Sequence, residues 1–250
     1  MKRVYPTLFY LGAVTLLALI ALPAAHAQTI YNPVADFSPT VNGGGNPWSY
    51  GYATTSTMGS FTAFTNHVLW SSNAGLDIWE YGPPGIFHNS TASPIQVVSS
   101  LSVAPGQLGF DLADDTTLVP KLRLTLPSSG DYVLSAIFTE IDTAPQSAMN
   151  IEIMINGTTT VLSDQLTAVY GTSSAVTNYA FFGTAGTTID FAFWTTGSPV
   201  GDHASLSATV TAVPEPSTCA ALFGLAALSF AALVRLSSKS GGGWRRRRRA

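Results

Sequence analysis

Cysteine is almost absent from this sequence: the single one among 250 residues is Cys219, in an apolar segment near the C-terminus. Residues 28–212, which we call the body, therefore contain no disulfide. Small exported domains often depend on such bridges. Because no disulfide can form, the hydrophobic core, with or without bound ions, must stabilise the body.

Basic residues are also scarce in the body, which holds only Lys121 and Arg123 against 13 acidic residues, a net charge of −11. The whole-chain value of −3 hides this, because nine of the eleven basic residues lie near the two ends. A protein this acidic does not bind nucleic acid through phosphates. The charge suits a soluble extracellular protein, a calcium-binding protein, or both.

Long apolar runs occur only near the two ends of the sequence. The N-terminal run, residues 8–22, follows Met1-Lys2-Arg3 and precedes Ala25-His26-Ala27. A basic start, a short apolar segment and a small-x-small site are typical of a signal peptide. We predict a signal peptide over residues 1–27, removed by signal peptidase before Gln28; the alternative is a membrane anchor.

The C-terminal run, residues 219–234, has no charged side chain. As a helix it would span roughly 24 Å, short for a bilayer core of about 30 Å but sufficient with slight thinning. We predict a transmembrane helix over 219–236 and a basic tail over 237–250, which stays cytoplasmic and leaves the body outside. The alternative is a buried C-terminal helix with a solvated basic end.

Residues 213–218, Val-Pro-Glu-Pro-Ser-Thr, precede this run, and five arginines follow it at 245–249. This order resembles the PEP-CTERM sorting signal. The resemblance implies recognition by an exosortase in a Gram-negative bacterium that makes exopolysaccharide, and delivery to the cell envelope, surface or extracellular matrix. One departure is the nine residues between Arg235 and Arg245. The residues that match the signal are Val213, Pro214, Glu215, Pro216, Arg245, Arg246 and Arg247.

The body reads as one all-β domain, because two-residue alternation is frequent and helical periodicity is hard to find. Residues 118–126 and 132–138 alternate on either side of a turn, and Asn156-Gly157 joins two further runs as a tight hairpin. Further strands are predicted at 95–103, 107–112, 178–182, 188–194 and 206–212, with long loops around short strands at 61–94. We predict an antiparallel β-sandwich, most simply a jelly roll, flanked by the N-terminal signal helix and the C-terminal transmembrane helix.

The body also has a patchier resemblance, carried by residues 36–38 with 46–51, by 101–106 and by 118–138. These segments resemble a β-sandwich domain of exported bacterial proteins that is similar to galactose-binding-like carbohydrate-binding modules. The resemblance implies a jelly roll more strongly than it implies a ligand.

Aromatic side chains in turn-rich segments are candidates for carbohydrate binding, because sugar C–H faces stack on rings and nearby polar groups bind hydroxyls. The alternative is that these rings fill the core. The candidates are Trp48, Trp70, Trp79 and Tyr81.

Asp111, Asp114 and Asp115 form an acidic patch that offers the oxygen ligands calcium prefers. The patch lacks the spacing of a defined calcium loop, so a solvated turn is the alternative to a structural Ca²⁺ site.

Catalytic signatures are weak. The histidines at 67, 88 and 203 share no ligand spacing, and Asp202 and His203 would point to opposite faces of a strand. Asp77 with Glu80, or Glu140 with Asp142, would be a glycosidase pair only across a cleft. We therefore expect a non-catalytic exported protein that binds polysaccharide. The alternatives are a purely structural or adhesive surface protein and a glycoside hydrolase.

Overall fold

A computed structural model describes residues 28–55, 58–70, 75–80, 82, 84–112, 116–213, 224 and 226–230. Thr29–Val213 forms one compact unit. Residues 224 and 226–230 are helical, whereas residues 1–27 and most of the segment after 213 lie outside the described part. In the described part, no helix is both long enough and apolar enough to cross a membrane.

Within the described residues the chain forms 16 β-strands. They are β1 (Ile30–Tyr31), β2 (Trp48–Thr54), β3 (Thr62–Ala63), β4 (Asn66–Leu69), β5 (Leu76–Glu80), β6 (Gly85–Asn89), β7 (Ile95–Val98), β8 (Leu101–Val103), β9 (Leu108–Asp111), β10 (Leu118–Thr125), β11 (Gly130–Glu140), β12 (Met149–Ile155), β13 (Thr159–Leu166), β14 (Ser173–Gly183), β15 (Thr188–Thr195) and β16 (His203–Val213).

Two antiparallel sheets make up the sandwich. The larger has the order β14-β11-β16-β9-β6-β5-β4, with β1 beside β16, and the smaller has the order β13-β12-β15-β10-β2-β3. Their facing sides bury one main core, to which Leu122, Phe138 and Phe191 contribute fully buried side chains. The prediction of an antiparallel β-sandwich is confirmed, and the strand arrangement is consistent with a jelly roll.

Two strand predictions differ from the structure. Residues 95–103 form a hairpin, β7 and β8, because the chain turns at Ser99 and Ser100. Residues 61–94, expected to form long loops around short strands, contain the four short strands β3 to β6, whose bounds the alternation did not predict. Strands β5 and β6 are buried on nearly every residue, so they lack the alternation that identifies a strand with one wet face.

A second, smaller core explains this burial. The β7–β8 hairpin supplies Leu101 and Val103, which pack with Ile78 and Phe87 on the side of the larger sheet that faces away from the main core. Trp70 packs against the same cluster. The β4–β5–β6–β9 half of the larger sheet is therefore covered on both faces.

Gly109 on β9 permits the close approach of Phe87 to the sheet. A Cβ at this position would lie 2.5 Å from Phe87 Cζ and 2.9 Å from the Ala204 carbonyl oxygen. The Phe87 ring in turn contacts Trp70, so this glycine fixes the packing beneath the site described below.

We expect Gly109→Ala to lower the free energy of unfolding by about 1–3 kcal/mol, since the new methyl group overpacks a filled region. Gly130→Ala is the matched control, because nothing lies within 4 Å of a Cβ built there. Urea denaturation of both variants measures the difference. Equal stability of the two variants would contradict the proposed packing.

Candidate functional site

Strand pairing brings polar residues into one row across the larger sheet. His203 lies opposite Asp111, Asp111 opposite Gly85, Gly85 opposite Glu80, and Glu80 opposite Asn66. This row marks one end of β9, β6, β5 and β4, beside the second core. No short sequence motif contains it, since its members come from five strands.

His203 is the centre of a buried ion cluster. Its Nδ1 lies 3.1 Å from Asp142 Oδ2, and its Nε2 lies 3.5 Å from Asp111 Oδ1. Burial opposes a charge on the ring, but the bonds to Asp111 and Asp142 prevail and raise the pKa of His203 to about 9. The ring is therefore an imidazolium at neutral pH, with both nitrogens engaged.

The Trp70 ring lies beside this imidazolium. Its centroid is 6.0 Å from that of His203 and 5.3 Å from that of Phe87. Contact with the second core leaves the Trp70 side chain half-buried. The indole is thus held from beneath while part of it stays accessible next to charged groups.

Two further carboxylates, Glu140 and Asp202, are fully buried near the histidine. Glu140 Oε1 accepts the Asp142 N–H at 2.7 Å, and Asp202 Oδ1 accepts the N–H groups of Gln146 and Ser147. Their second oxygens, Oε2 and Oδ2, have no hydrogen-bond partner among the described residues.

Burial and the nearby charges of Asp202 and Asp142 raise the pKa of Glu140 to about 8, although the Asp142 N–H opposes this. Burial also raises the pKa of Asp202. Glu140 is therefore mostly protonated at neutral pH, which avoids an uncompensated buried charge.

The outer part of the row is more open. Glu80 and Asp111 are half-buried, and Asn66 is exposed with its Nδ2 3.5 Å from Glu80 Oε1. Burial and the charge of Asp111 raise the pKa of Glu80. The row and Trp70 together offer one aromatic ring, carboxylate acceptors and an amide, the group types that bind a hydroxyl-rich ligand. We call Trp70, His203, Asp111, Glu80 and Asn66 the Trp70 site.

The predicted carbohydrate-binding aromatics lie in different environments. Trp48 is fully buried and donates its Nε1–H to Asp36 Oδ2 at 3.1 Å. Trp79 is 6% exposed and donates to the Ser38 carbonyl oxygen at 2.9 Å. Neither ring presents a face to solvent, so both serve the core and only Trp70 keeps a partly open ring. Tyr81 lies outside the described residues.

The proposed calcium patch is described only at Asp111, which contacts His203, because Asp114 and Asp115 lie outside the described residues. Among the residues that are described, no three His, Cys, Asp or Glu side chains form a group that could hold a metal ion. In the sorting signal, Val213 ends β16, whereas Pro214, Glu215, Pro216 and the arginines at 245–247 lie outside the described part.

Neither of the two carboxylate pairs considered for hydrolysis faces its partner across a cleft. The first pair, Asp77 and Glu80, lies on β5. Asp77 points to the main-core side, where its Oδ1 lies 3.2 Å from His67 Nε2, and Glu80 points to the opposite side because the two are three residues apart. Asp142 is a hydrogen-bond partner of both Glu140 and His203, so it is part of the buried cluster.

Sequence reasoning identified Trp70 and Asp111 but assigned them to separate sites. The structure places both beside His203. Asp142 and His203 are 61 residues apart, and nothing in their spacing indicates the contact.

No protein-family model matches the chain. No curated protein matches it. Among solved structures, a family 35 carbohydrate-binding module from Clostridium thermocellum is similar with a TM-score of 0.31 and 15% identity, over 54% of this chain and 98% of that chain. The CBM36-1 domain of a multidomain xylanase from the hindgut metagenome of Trinervitermes trinervoides has a TM-score of 0.31 and 13% identity, over 53% and 98%. The Podospora anserina GH26-CBM35 β-(1,4)-mannanase has a TM-score of 0.31 and 14% identity over 54% of this chain, which spans 29% of the mannanase.

The raised pKa values of His203 and Glu140 allow us to predict how the stability of the fold depends on pH. The pKa of His203 is raised from 6.5 to about 9 and that of Glu140 from 4.5 to about 8 in the folded protein. A raised pKa stabilises the fold below the unfolded value, and this stabilisation is lost as the pH rises through the folded value. We therefore expect the free energy of unfolding to fall between pH 5 and pH 9.

Urea denaturation across this range measures the fall. Glu140→Gln stays neutral at every pH and should remove the contribution of Glu140, which lies between pH 4.5 and about pH 8, while the contribution of His203 between pH 6.5 and about pH 9 remains. An unchanged pH profile in this variant would contradict the assignment to Glu140.

Proposed function

We propose that this protein is an exported, non-catalytic envelope or matrix protein that binds polysaccharide at the Trp70 site. The observation that carries the proposal is the partly accessible Trp70 ring, held beside His203, whose Nε2 lies 3.5 Å from the Asp111 carboxylate. A ring of this kind stacks on the C–H face of a sugar, and the carboxylates accept hydrogen bonds from its hydroxyl groups.

The charge of the body favours an uncharged glycan over an acidic one. Both basic side chains of the body pair with Asp190, and the His203 imidazolium is paired with two carboxylates. A body with a net charge of −11 therefore has no unpaired cation at the Trp70 site to attract a uronate or sulfate group.

Export and sorting are proposed from the sequence. The signal peptide over residues 1–27 and the PEP-CTERM-like signal over 213–250 support secretion, a transient membrane anchor and processing by an exosortase. Exopolysaccharide is then the ligand that the protein meets at its destination.

A purely structural or adhesive role is the second candidate, and the burial of Trp48 and Trp79 favours it, since neither of these two candidate rings is then available to a ligand. A hydrolase has less support. His203 has both nitrogens engaged, and Asp77 and Glu80 lie on opposite faces of β5.

A glycan array probed with the Thr29–Val213 unit tests the proposal. We expect binding to a neutral polysaccharide that Trp70→Ala reduces about 5- to 150-fold, since loss of one stacked ring costs about 1–3 kcal/mol. Glu80→Gln should weaken binding less. Phe182→Ala is the matched control, because Phe182 is 66% exposed on β14, outside the Trp70 site.

If the Trp70→Ala and Glu80→Gln variants are folded and bind the glycan as well as the original unit, the proposal that the ligand binds at the Trp70 site is wrong. If neither the original unit nor any variant binds a glycan on the array, the purely structural role is favoured. Near-ultraviolet circular dichroism on each variant separates loss of binding from loss of folding.

The sorting proposal has its own test in the full chain. Replacing Pro214, Glu215 and Pro216 by alanine should leave signal-peptide removal intact but stop C-terminal processing, so that a larger form accumulates in the membrane fraction. Immunoblots of fractionated cells, with and without the exosortase of the host, measure this. Identical processing of both chains would contradict recognition of the motif.

A further inference from the structure

Lys121 and Asp190 form an ion pair that is completely withdrawn from solvent. Lys121 lies on β10 and Asp190 on the neighbouring β15, and Nζ is 3.1 Å from Oδ2 with both side chains 0% exposed. Lysine is seldom fully buried, because removing its charge from water is costly even when it is paired.

The three N–H bonds of the Lys121 ammonium group have three acceptors. Two are the carbonyl oxygens of Met58 and Ser60, in the segment before β3, and the third is Asp190 Oδ2. If the proton shared with Asp190 moves to Oδ2, the nitrogen lone pair that remains points at the carboxyl group. The two carbonyls hold the amine in that orientation.

Arg123 fixes the other side of the carboxylate. Its Nε donates to Asp190 Oδ1 at 2.6 Å and its Nη2 to Oδ2 at 2.8 Å, and Phe61 covers the guanidinium at 4.3 Å from the ring centroid. Such a clamp holds the negative charge that develops on Oδ1 when a nucleophile attacks Cγ. Burial also lowers the pKa of Lys121, although the charge of Asp190 opposes this.

The geometry points to an intramolecular isopeptide bond between Lys121 and Asp190. One ammonium proton passes to Oδ2, and Nζ attacks Cγ to give a tetrahedral centre with its charge on Oδ1. The C–Oδ2 bond then breaks, and a second N–H proton leaves with Oδ2 as one molecule of water. Nζ keeps one hydrogen as an amide, and neither an oxidant nor a reductant is needed.

Two physical effects favour this condensation in the folded protein. The two groups are held in contact, which replaces a bimolecular encounter by a reaction within one site, and water that would reverse it is excluded. The product is a neutral amide, so the desolvation cost of burying two charges disappears. Its carbonyl oxygen, the former Oδ1, still accepts from Arg123.

Trypsin digestion of the denatured full chain tests the bond. Lys121 and Arg123 are the only basic residues between Arg3 and Arg235, so an unlinked chain is cut after both and separates into two large fragments. In the linked chain Lys121 is no longer a substrate. The cut after Arg123 then leaves the piece that ends at Arg123 and the piece that begins at Leu124 joined through their side chains, with a mass lower by one water molecule than that of the two separate pieces.

Lys121→Arg is the matched control. It keeps the positive charge and the trypsin site but cannot form the amide, so its fragments should separate on a denaturing gel. Digestion follows denaturation, so the result does not depend on whether the variant folds. Tandem mass spectrometry should find a branched peptide that contains both Lys121 and Asp190. Complete cleavage after Lys121 in the wild-type protein, or loss of water without a branched peptide, would overturn the proposal.

Discussion

Burial of both faces of one half of the larger sheet is the constraint on which the rest of the site depends. The β7–β8 hairpin closes the second core over β5, β6 and β9, and Gly109 leaves room for the Phe87 ring, on which Trp70 packs. Trp70 is thereby packed against the buried cluster of the second core. The polar row follows from the same pairing, because the strands that carry the second core end together.

Positive charge is scarce in the body and is always paired. Lys121 and Arg123 share Asp190, and His203 is held between Asp111 and Asp142. Each pairing joins segments that are distant in sequence, so these few cations connect neighbouring strands in the absence of disulfides. The remaining carboxylates give the body its net negative charge, which favours solubility.

The sequence was informative where one face of a strand is wet and weak where both faces are buried. Alternation in residues 118–138 predicted β11, in which buried side chains such as Tyr132 and Leu134 alternate with more open ones, and it predicted β10 from the leucines of one face, although Val119 and Lys121 are buried too. It missed β5 and β6, since the second core makes their outward side chains apolar too. Trp70 and Asp111 were recognisable as unusual residues, but their meeting at His203 depends on tertiary pairing. Trp48 and Trp79 looked equally suitable for a ligand, and only the structure reveals the buried acceptors at Asp36 and Ser38 that place them in the core.

A single half-exposed indole also limits the affinity of the Trp70 site. Stacking on one ring, with a few hydrogen bonds to solvent-accessible carboxylates, supplies only a few kcal/mol, and about −4 kcal/mol corresponds to a dissociation constant near 1 mM. The proposed sorting to the envelope changes the consequence of that weakness. Many copies presented on one surface to a repeating polymer bind it together, so that the effective concentration of neighbouring sites raises the avidity without any new contact. The proposed neutral-glycan site and the proposed C-terminal sorting signal are therefore complementary features of one function.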